Sequence, residues 1–125
     1  MYLPIEKIII LKSVEIFSET SDEVLADVAS ILEEEEYVAG QNIFEEGDLG
    51  TCLYIVVRGS VRIHKGEVAI ATLKERQIFG ELAAIDPEPR SASVTAEEET
   101  TLFRLSQSGL IELIADRYEV SEGIM

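Results

Sequence analysis

Tryptophan is absent from this chain, cysteine and histidine occur once each, and proline appears three times in 125 residues. With Cys52 alone, no intrachain disulfide can form, and the setting expected is a reducing, cytoplasmic one. The apolar residues around Cys52 predict a buried structural thiol. His64 has no second histidine with which to hold a catalytic metal, and no Gly-x-Ser-x-Gly turn offers it a nucleophile. Neither metal-dependent nor hydrolytic catalysis is expected, and no cofactor. No run approaches the ~18 apolar residues of a membrane span, and Glu6 and Lys7 interrupt any signal-like opening, so no membrane insertion is expected. Basic residues are scarce: 10 Lys and Arg stand against 25 Asp and Glu, a net charge of -15. Such a field opposes nucleic acid and anionic membrane surfaces, and no nucleic-acid partner is expected. Internal repeats and low-complexity linkers are also missing. The length fits one domain over residues 1–125 with a real core, and leaves no room for an effector.

What is present changes character along the chain. Residues 1–33 read as helical: Pro4 suits a first helical turn, and Ile5, Ile8, Ile9 and Lys12 follow at helical spacing. Ile10 and Leu11 extend the apolar surface beyond that face. It either packs on its own domain or meets a partner chain or a twin. Val14, Ile16 and Phe17 make a short turn, then Ser21 caps a second helix with Val24, Leu25, Val28, Ile31 and Leu32 on one face, ending near Glu33. The run Glu33 to Glu36 is expected as a solvated helix end passing into a strand, since four adjacent residues share no face for a metal.

From Tyr37 onward, short strands alternate with turns: Tyr37-Val38, Ile43-Phe44, Cys52 to Val57, Val61 to His64 and Glu67 to Leu73, with corners at Gly40, Gly47-Asp48, Gly59 and Lys65-Gly66. Ser91 to Ala96 and Thr101 to Leu105 continue the sheet. Ser106 or Ser108 then caps a helix carrying Leu110, Ile111, Leu113 and Ile114. The fold class expected is mainly β with flanking helices (α+β). It is an antiparallel, jelly-roll-like β-roll over 34–105 with a short cassette helix, a helical segment before it and a helix in 106–125.

The stretch 79–94 has the chemistry of a small-anion site. Gly80 permits a tight turn, and Glu81 to Ile85 can form a short helix whose first N–H groups lack partners. Pro87 and Pro89 end it, and Arg90 opens an extended run with a guanidinium able to grip phosphate in a fork. Glu81 suits a sugar hydroxyl rather than a phosphate. The combination describes a nucleotide. An Arg90 to Glu81 ion pair closing an empty pocket is the bland alternative.

Phe79-Gly80-Glu81-Leu82-Ala83 followed by Pro89-Arg90-Ser91-Ala92-Ser93-Val94 resembles the phosphate-binding cassette of cyclic nucleotide-binding domains. Phe44-x-x-Gly47-Asp48 and Tyr54-x-Ile-x-x-x-Gly59-x-Val61-x-Ile63 resemble the strands and turns before it. The resemblance implies that Arg90 binds the exocyclic oxygens of a cyclic phosphate and Glu81 the ribose 2′-hydroxyl. The backbone around Gly80, with the N–H groups of Leu82, Ala83 and Ala92, would complete the cradle. Ser91 would contact phosphate or base, and Ile63, Ala71 and Leu73 base or sugar. Two departures stand out. Arg76 occupies a turn position where many members carry glycine, and after the helix near Leu110 to Arg117 only Tyr118 to Met125 remains where many members add a lid helix.

The resemblance implies a regulatory module without catalytic residues, favouring cyclic AMP over cyclic GMP as its ligand and signalling through its flanking helices to an effector domain or partner protein. A rival reading keeps the fold and loses the ligand, leaving an interaction scaffold or a homodimer through the N-terminal helix.

Overall fold

The computed structural model describes residues 1–80, 88–106 and 108–109. Helix α1 (Pro4–Lys12), a 3-10 turn (Glu15–Phe17) and helix α2 (Asp22–Ile31) come first. Strands follow: β1 (Glu33–Tyr37), β2 (Asn42–Phe44), β3 (Leu49–Gly50), β4 (Cys52–Arg58), β5 (Val61–Lys65), β6 (Val68–Leu73), β7 (Ile78–Phe79), β8 (Glu88–Pro89), β9 (Ser93–Ala96) and β10 (Thr100–Ser106). They form two four-stranded sheets in the orders β1-β10-β4-β7 and β2-β9-β5-β6, and β3 pairs separately with β8. All pairings are antiparallel, as the sequence leads one to expect.

Strand β4 explains why both layers cohere. Its residues Cys52 to Val57 are buried without a break, because alternate side chains enter different cores. Leu53, Ile55 and Val57 join Phe103, Leu105 and the helices, whereas Cys52, Tyr54 and Val56 join Val61, Phe79, Val94 and Leu102 between the sheets. The buried thiol of Cys52 accords with the sequence expectation.

The helices differ from expectation in instructive ways. In α1 the buried residues are Ile10 and Leu11, continued by Val14, while Ile5 and Ile9 are 60% and 62% exposed. The spacing of the four isoleucines does not reveal which face meets the sheet. Helix α2 follows its pattern: the Ser21 hydroxyl accepts the Val24 N–H at 3.3 Å, and Leu25, Val28, Ala29 and Leu32 are buried.

The acidic run Glu33 to Glu36 is strand from its first residue, paired with β10, rather than a helix end. Pleating places neighbouring carboxylates on opposite faces, and three of the four find separate partners. Glu33 meets Arg104 Nη1 at 2.6 Å, Glu34 accepts the Tyr2 N–H at 2.6 Å, and Glu35 accepts the Tyr37 hydroxyl at 2.7 Å. Burial and then that hydrogen bond push the Tyr37 phenol above its ordinary pKa.

At Arg76 the backbone is left-handed, with φ of 73°, the one non-glycine residue so placed among those described. This is the turn where many members of the family that the chain resembles carry glycine. Its side chain returns little, since Nη1 stands 3.4 Å from the Val57 carbonyl, beyond a good hydrogen bond. Arg76→Gly should therefore stabilise the domain by about 0.5–1 kcal/mol, the relief of left-handed strain less the added freedom of the unfolded glycine. Urea unfolding will read this as a higher midpoint at unchanged slope. A lower midpoint would mean that the arginine side chain outweighs the strain.

Candidate functional site

Sheet β2-β9-β5-β6 carries a straight row of side-chain positions across all four strands. Ala71 pairs with Ile63, Ile63 with Val94, and Val94 with Phe44. A second row runs from Leu73 through Val61 to Ala96. Ile63, Leu73, Val94 and Phe44 all belong to the core between the sheets. Ala71 shares the face of its partner Ile63 yet is exposed, so that end of the inner face is open to solvent. Three strand spacings from Ala71 to Phe44 give a floor about 14 Å long.

Arg90 lies at the Phe44 end of this floor. The turn after β2 grips its backbone twice: Gly47 N–H donates to the Arg90 carbonyl at 2.8 Å, and Arg90 N–H donates to the Asp48 carbonyl at 2.7 Å. One more bond ties the same turn down, from Glu46 N–H to the Ser93 hydroxyl at 2.9 Å. The guanidinium reaches back to β4, where Nη2 donates to the Cys52 carbonyl at 2.8 Å. Its Cζ stands 4.1 Å from the centroid of the Phe44 ring and 6.0 Å from that of Tyr54. Phe44, Tyr54 and Phe79 are in mutual contact, with Tyr54 and Phe79 stacked at 5.0 Å and 12°.

Gly80, directly after β7, completes the enclosure with a φ of 76°. A Cβ there would meet Arg90 Nη1 at 2.5 Å and the Cys52 carbonyl at 3.0 Å. Only glycine both adopts this backbone and leaves space for the guanidinium.

Among the described residues, no carboxylate oxygen lies within 4.0 Å of Arg90. Burial lowers its pKa from the ordinary arginine value, against the weaker opposing influence of Tyr54, Cys52 and Asp48. Asp48 itself accepts the Glu45 N–H through Oδ2 at 2.9 Å. Burial likewise raises the Tyr54 phenol, keeping it neutral beside the guanidinium.

Of the residues singled out in the sequence, Gly80 and Arg90 are brought into contact, and Ile63 and Ala71 are direct partners. Leu73 lies one row further along, Ser91 is exposed, and Ala92 is half-buried. Glu81, Leu82 and Ala83 lie outside the described residues, as do the body of the C-terminal helix and the tail after it. Ser106 Oγ accepts the Gly109 N–H at 3.2 Å, a contact of the kind expected of Ser106 as a cap. The sequence reading missed the Cys52 carbonyl and the Phe44 ring as partners of Arg90. The Phe44-x-x-Gly47-Asp48 signature was the available signal, but it does not say what the phenylalanine touches.

His64 is taken up by structural bonds, Nδ1 at 2.8 Å from the Gly66 carbonyl and Nε2 at 2.8 Å from Thr95 Oγ1. No group of three His, Cys, Asp or Glu residues able to hold a metal occurs among the described residues. A cleft of about 440 Å³ lined by Arg58, Gly59, Ser60, Lys74, Glu75 and Glu98 opens at the opposite end of β4 and shares no residue with the Arg90 enclosure. Its mixed charge and turn-built walls do not converge on one ligand chemistry, so the Arg90 enclosure is the better candidate. Among the described residues no helix is long and apolar enough to cross a membrane.

An antiparallel β-roll with a half-buried arginine at the end of an apolar floor, and no carboxylate within 4.0 Å of it among the described residues, has the makings of a small-ligand-binding domain. Residues 34–117 match the model of the cyclic nucleotide-binding domain, and the chain belongs to that family. It is 35% identical over 111 residues to a cAMP-dependent protein kinase regulatory subunit of Eremothecium gossypii, covering 88% of this chain and 24% of that protein. It is 33% identical over 110 residues to a cGMP-dependent protein kinase of Toxoplasma gondii, covering 88% of this chain and 11% of that protein. The solved structure of the regulatory domain of Toxoplasma gondii PKA with cAMP superposes with a TM-score of 0.82 at 27% identity, covering 98% of this chain and 50% of that one. This chain thus spans a quarter or less of the length of the two kinase proteins.

Proposed function

We propose that this chain is a regulatory sensor, one module of a larger protein, that binds a 3′,5′-cyclic nucleotide. Its ligand is cyclic AMP in preference to cyclic GMP, and the flanking helices report occupancy. The observation that carries the reading is Arg90, half-buried and held, among the described residues, by the neutral Cys52 carbonyl and Phe44 ring, which leaves its charge for an anion from solution. In this reading Arg90 takes the exocyclic phosphate oxygens, with Glu81 on the ribose 2′-hydroxyl. The backbone of Gly80, Leu82, Ala83 and Ala92 cradles the phosphate, Ser91 lies beside phosphate or base, and Ile63, Ala71 and Leu73 form the floor under sugar and base. The resemblance favours the adenine nucleotide, and the curated relatives named above include both a cAMP- and a cGMP-dependent protein.

No catalytic step is assigned, and the module acts in the cytoplasm through an effector elsewhere in its protein or in a partner. Transmission is a population shift of the helices against sheet β1-β10-β4-β7. The start of α1 is positioned to take part: the Tyr2 N–H binds Glu34 at 2.6 Å, and the Tyr2 ring meets Phe103 edge-on at 5.4 Å. Calorimetric titration with cyclic AMP, cyclic GMP and 5′-AMP tests the reading. Heat with a cyclic nucleotide and none with 5′-AMP is expected, with cyclic AMP the tighter ligand. Silence from all three into the millimolar range, equivalent to binding weaker than ~4 kcal/mol, would favour a ligand-free scaffold.

A further inference from the structure

We propose that Phe44 is a positioning residue for Arg90, its ring holding the guanidinium in the anion-ready orientation that a carboxylate would otherwise impose. This rests on the proposed cyclic-nucleotide reading. An arginine drawn partly out of solvent is ordinarily oriented by an acid, but an acid also neutralises it and competes with any incoming phosphate; among the described residues no acid lies within 4.0 Å of Arg90. An aromatic face attracts the cation through its quadrupole and occupies none of the N–H donors in the guanidinium plane, of which one goes to the Cys52 carbonyl. In a chain of net charge -15, an arginine already paired with an acid would have little attraction left for an anion.

The geometry fits that role. The 4.1 Å separation of Arg90 Cζ from the Phe44 centroid is well inside cation–π range. The ring cannot swing away freely, because it is wedged against Tyr54 at 6.0 Å and Phe79 at 5.9 Å. The short segment Phe44 to Asp48 grips Arg90 at its carbonyl, its N–H and its guanidinium face, so backbone and side chain are placed by one piece of chain. Cys52 O then fixes rotation within the plane through Nη2, and Nη1 lies against Gly80, where the cassette begins. Phe44 touches no part of the proposed ligand in this scheme; it acts through Arg90.

The test compares Phe44→Leu, Phe44→Ile and Phe44→Tyr in the intact chain. Leucine and isoleucine keep an apolar side chain without a π face, isoleucine being the better strand former should leucine fail to fold; tyrosine keeps the face. Two readouts are taken: the affinity for whichever cyclic nucleotide the wild type binds, and the 15N relaxation of Arg90 Nε–H in the unliganded protein. Leucine and isoleucine should weaken binding about tenfold and loosen Arg90 Nε, while tyrosine stays within about twofold of wild type with Arg90 rigid. Unchanged Arg90 relaxation and affinity in Phe44→Leu and Phe44→Ile would overturn the proposal, as would equal weakening by leucine and tyrosine. Should the wild type bind no cyclic nucleotide, the proposed function falls, and the Arg90 relaxation alone still decides whether the ring positions it.

Discussion

Replacing Arg90 with methionine will remove cyclic-nucleotide binding while leaving the unliganded domain within about 1 kcal/mol of wild-type stability. Methionine keeps an unbranched stem of similar reach and deletes the charge that stands over Phe44. The lost bond to the Cys52 carbonyl costs about 1 kcal/mol, and release from burying an arginine without a neighbouring carboxylate among the described residues offsets it. Binding has no such compensation. Loss of a desolvated charge contact to phosphate costs on the order of 2–5 kcal/mol, roughly 30-fold to several-thousand-fold in affinity. Thermal unfolding with and without saturating nucleotide separates the two effects: the ligand-induced rise in melting temperature disappears in the variant, while the unliganded midpoint barely moves. A variant that melted far lower and still bound nucleotide would make Arg90 a structural residue.

The second large effect is expected at Gly80. Alanine there is strained on its own backbone, because φ is 76°, and its Cβ would stand 2.5 Å from Arg90 Nη1. A contact that short forces the guanidinium aside. Gly80→Ala should lower stability by about 1–3 kcal/mol and weaken nucleotide binding at least tenfold through displacement of Arg90. Because the closest clash is with the guanidinium, the cost should shrink when Arg90→Met is already present, a positive coupling readable in a double-mutant cycle of urea unfolding. Equal costs in both backgrounds would locate the strain in the backbone alone and remove the steric argument.

The elements legible in the sequence are those whose neighbours are local. Ser21 announces α2 because a cap and its target lie three residues apart, and the unbroken apolar run from Cys52 to Val57 reads as an apolar strand, which the structure buries on both faces. The Arg76 turn was legible in a subtler way: an arginine where glycine was expected coincides with left-handed backbone. What the sequence hid depends on distant chain. Nothing near Glu33 to Glu36 says that Arg104 and Tyr2 will attend to two of its carboxylates, so four acids in a row look like a solvated helix end. Which face of α1 is buried stayed open for the same reason: isoleucines on every side leave the choice to the sheet, which takes Ile10 and Leu11, with Ile8 in part, and leaves Ile5 and Ile9 exposed. The two-residue pairing of β3 with β8 is too short to carry any periodicity. At the candidate site, Gly80 and Arg90 were found through their motif, but the Phe44 face and the Cys52 carbonyl come from segments 46 and 38 residues away; Phe44 stands in a signature that does not name its partner, and the carbonyl has no signature at all.

Strand β4 has two insides and no outside over Cys52 to Val57, whereas β6 is exposed along nearly its whole length. Over evolutionary time these two strands live under different rules. A substitution in β4 must satisfy either the helix-facing core or the sheet-facing one, and a backbone adjustment that suits one core disturbs the other. Divergence should therefore be slow there and arrive as paired, compensating changes. Strand β6, free to vary on its outer face, is where descendants of this domain can acquire new surfaces without reopening either core.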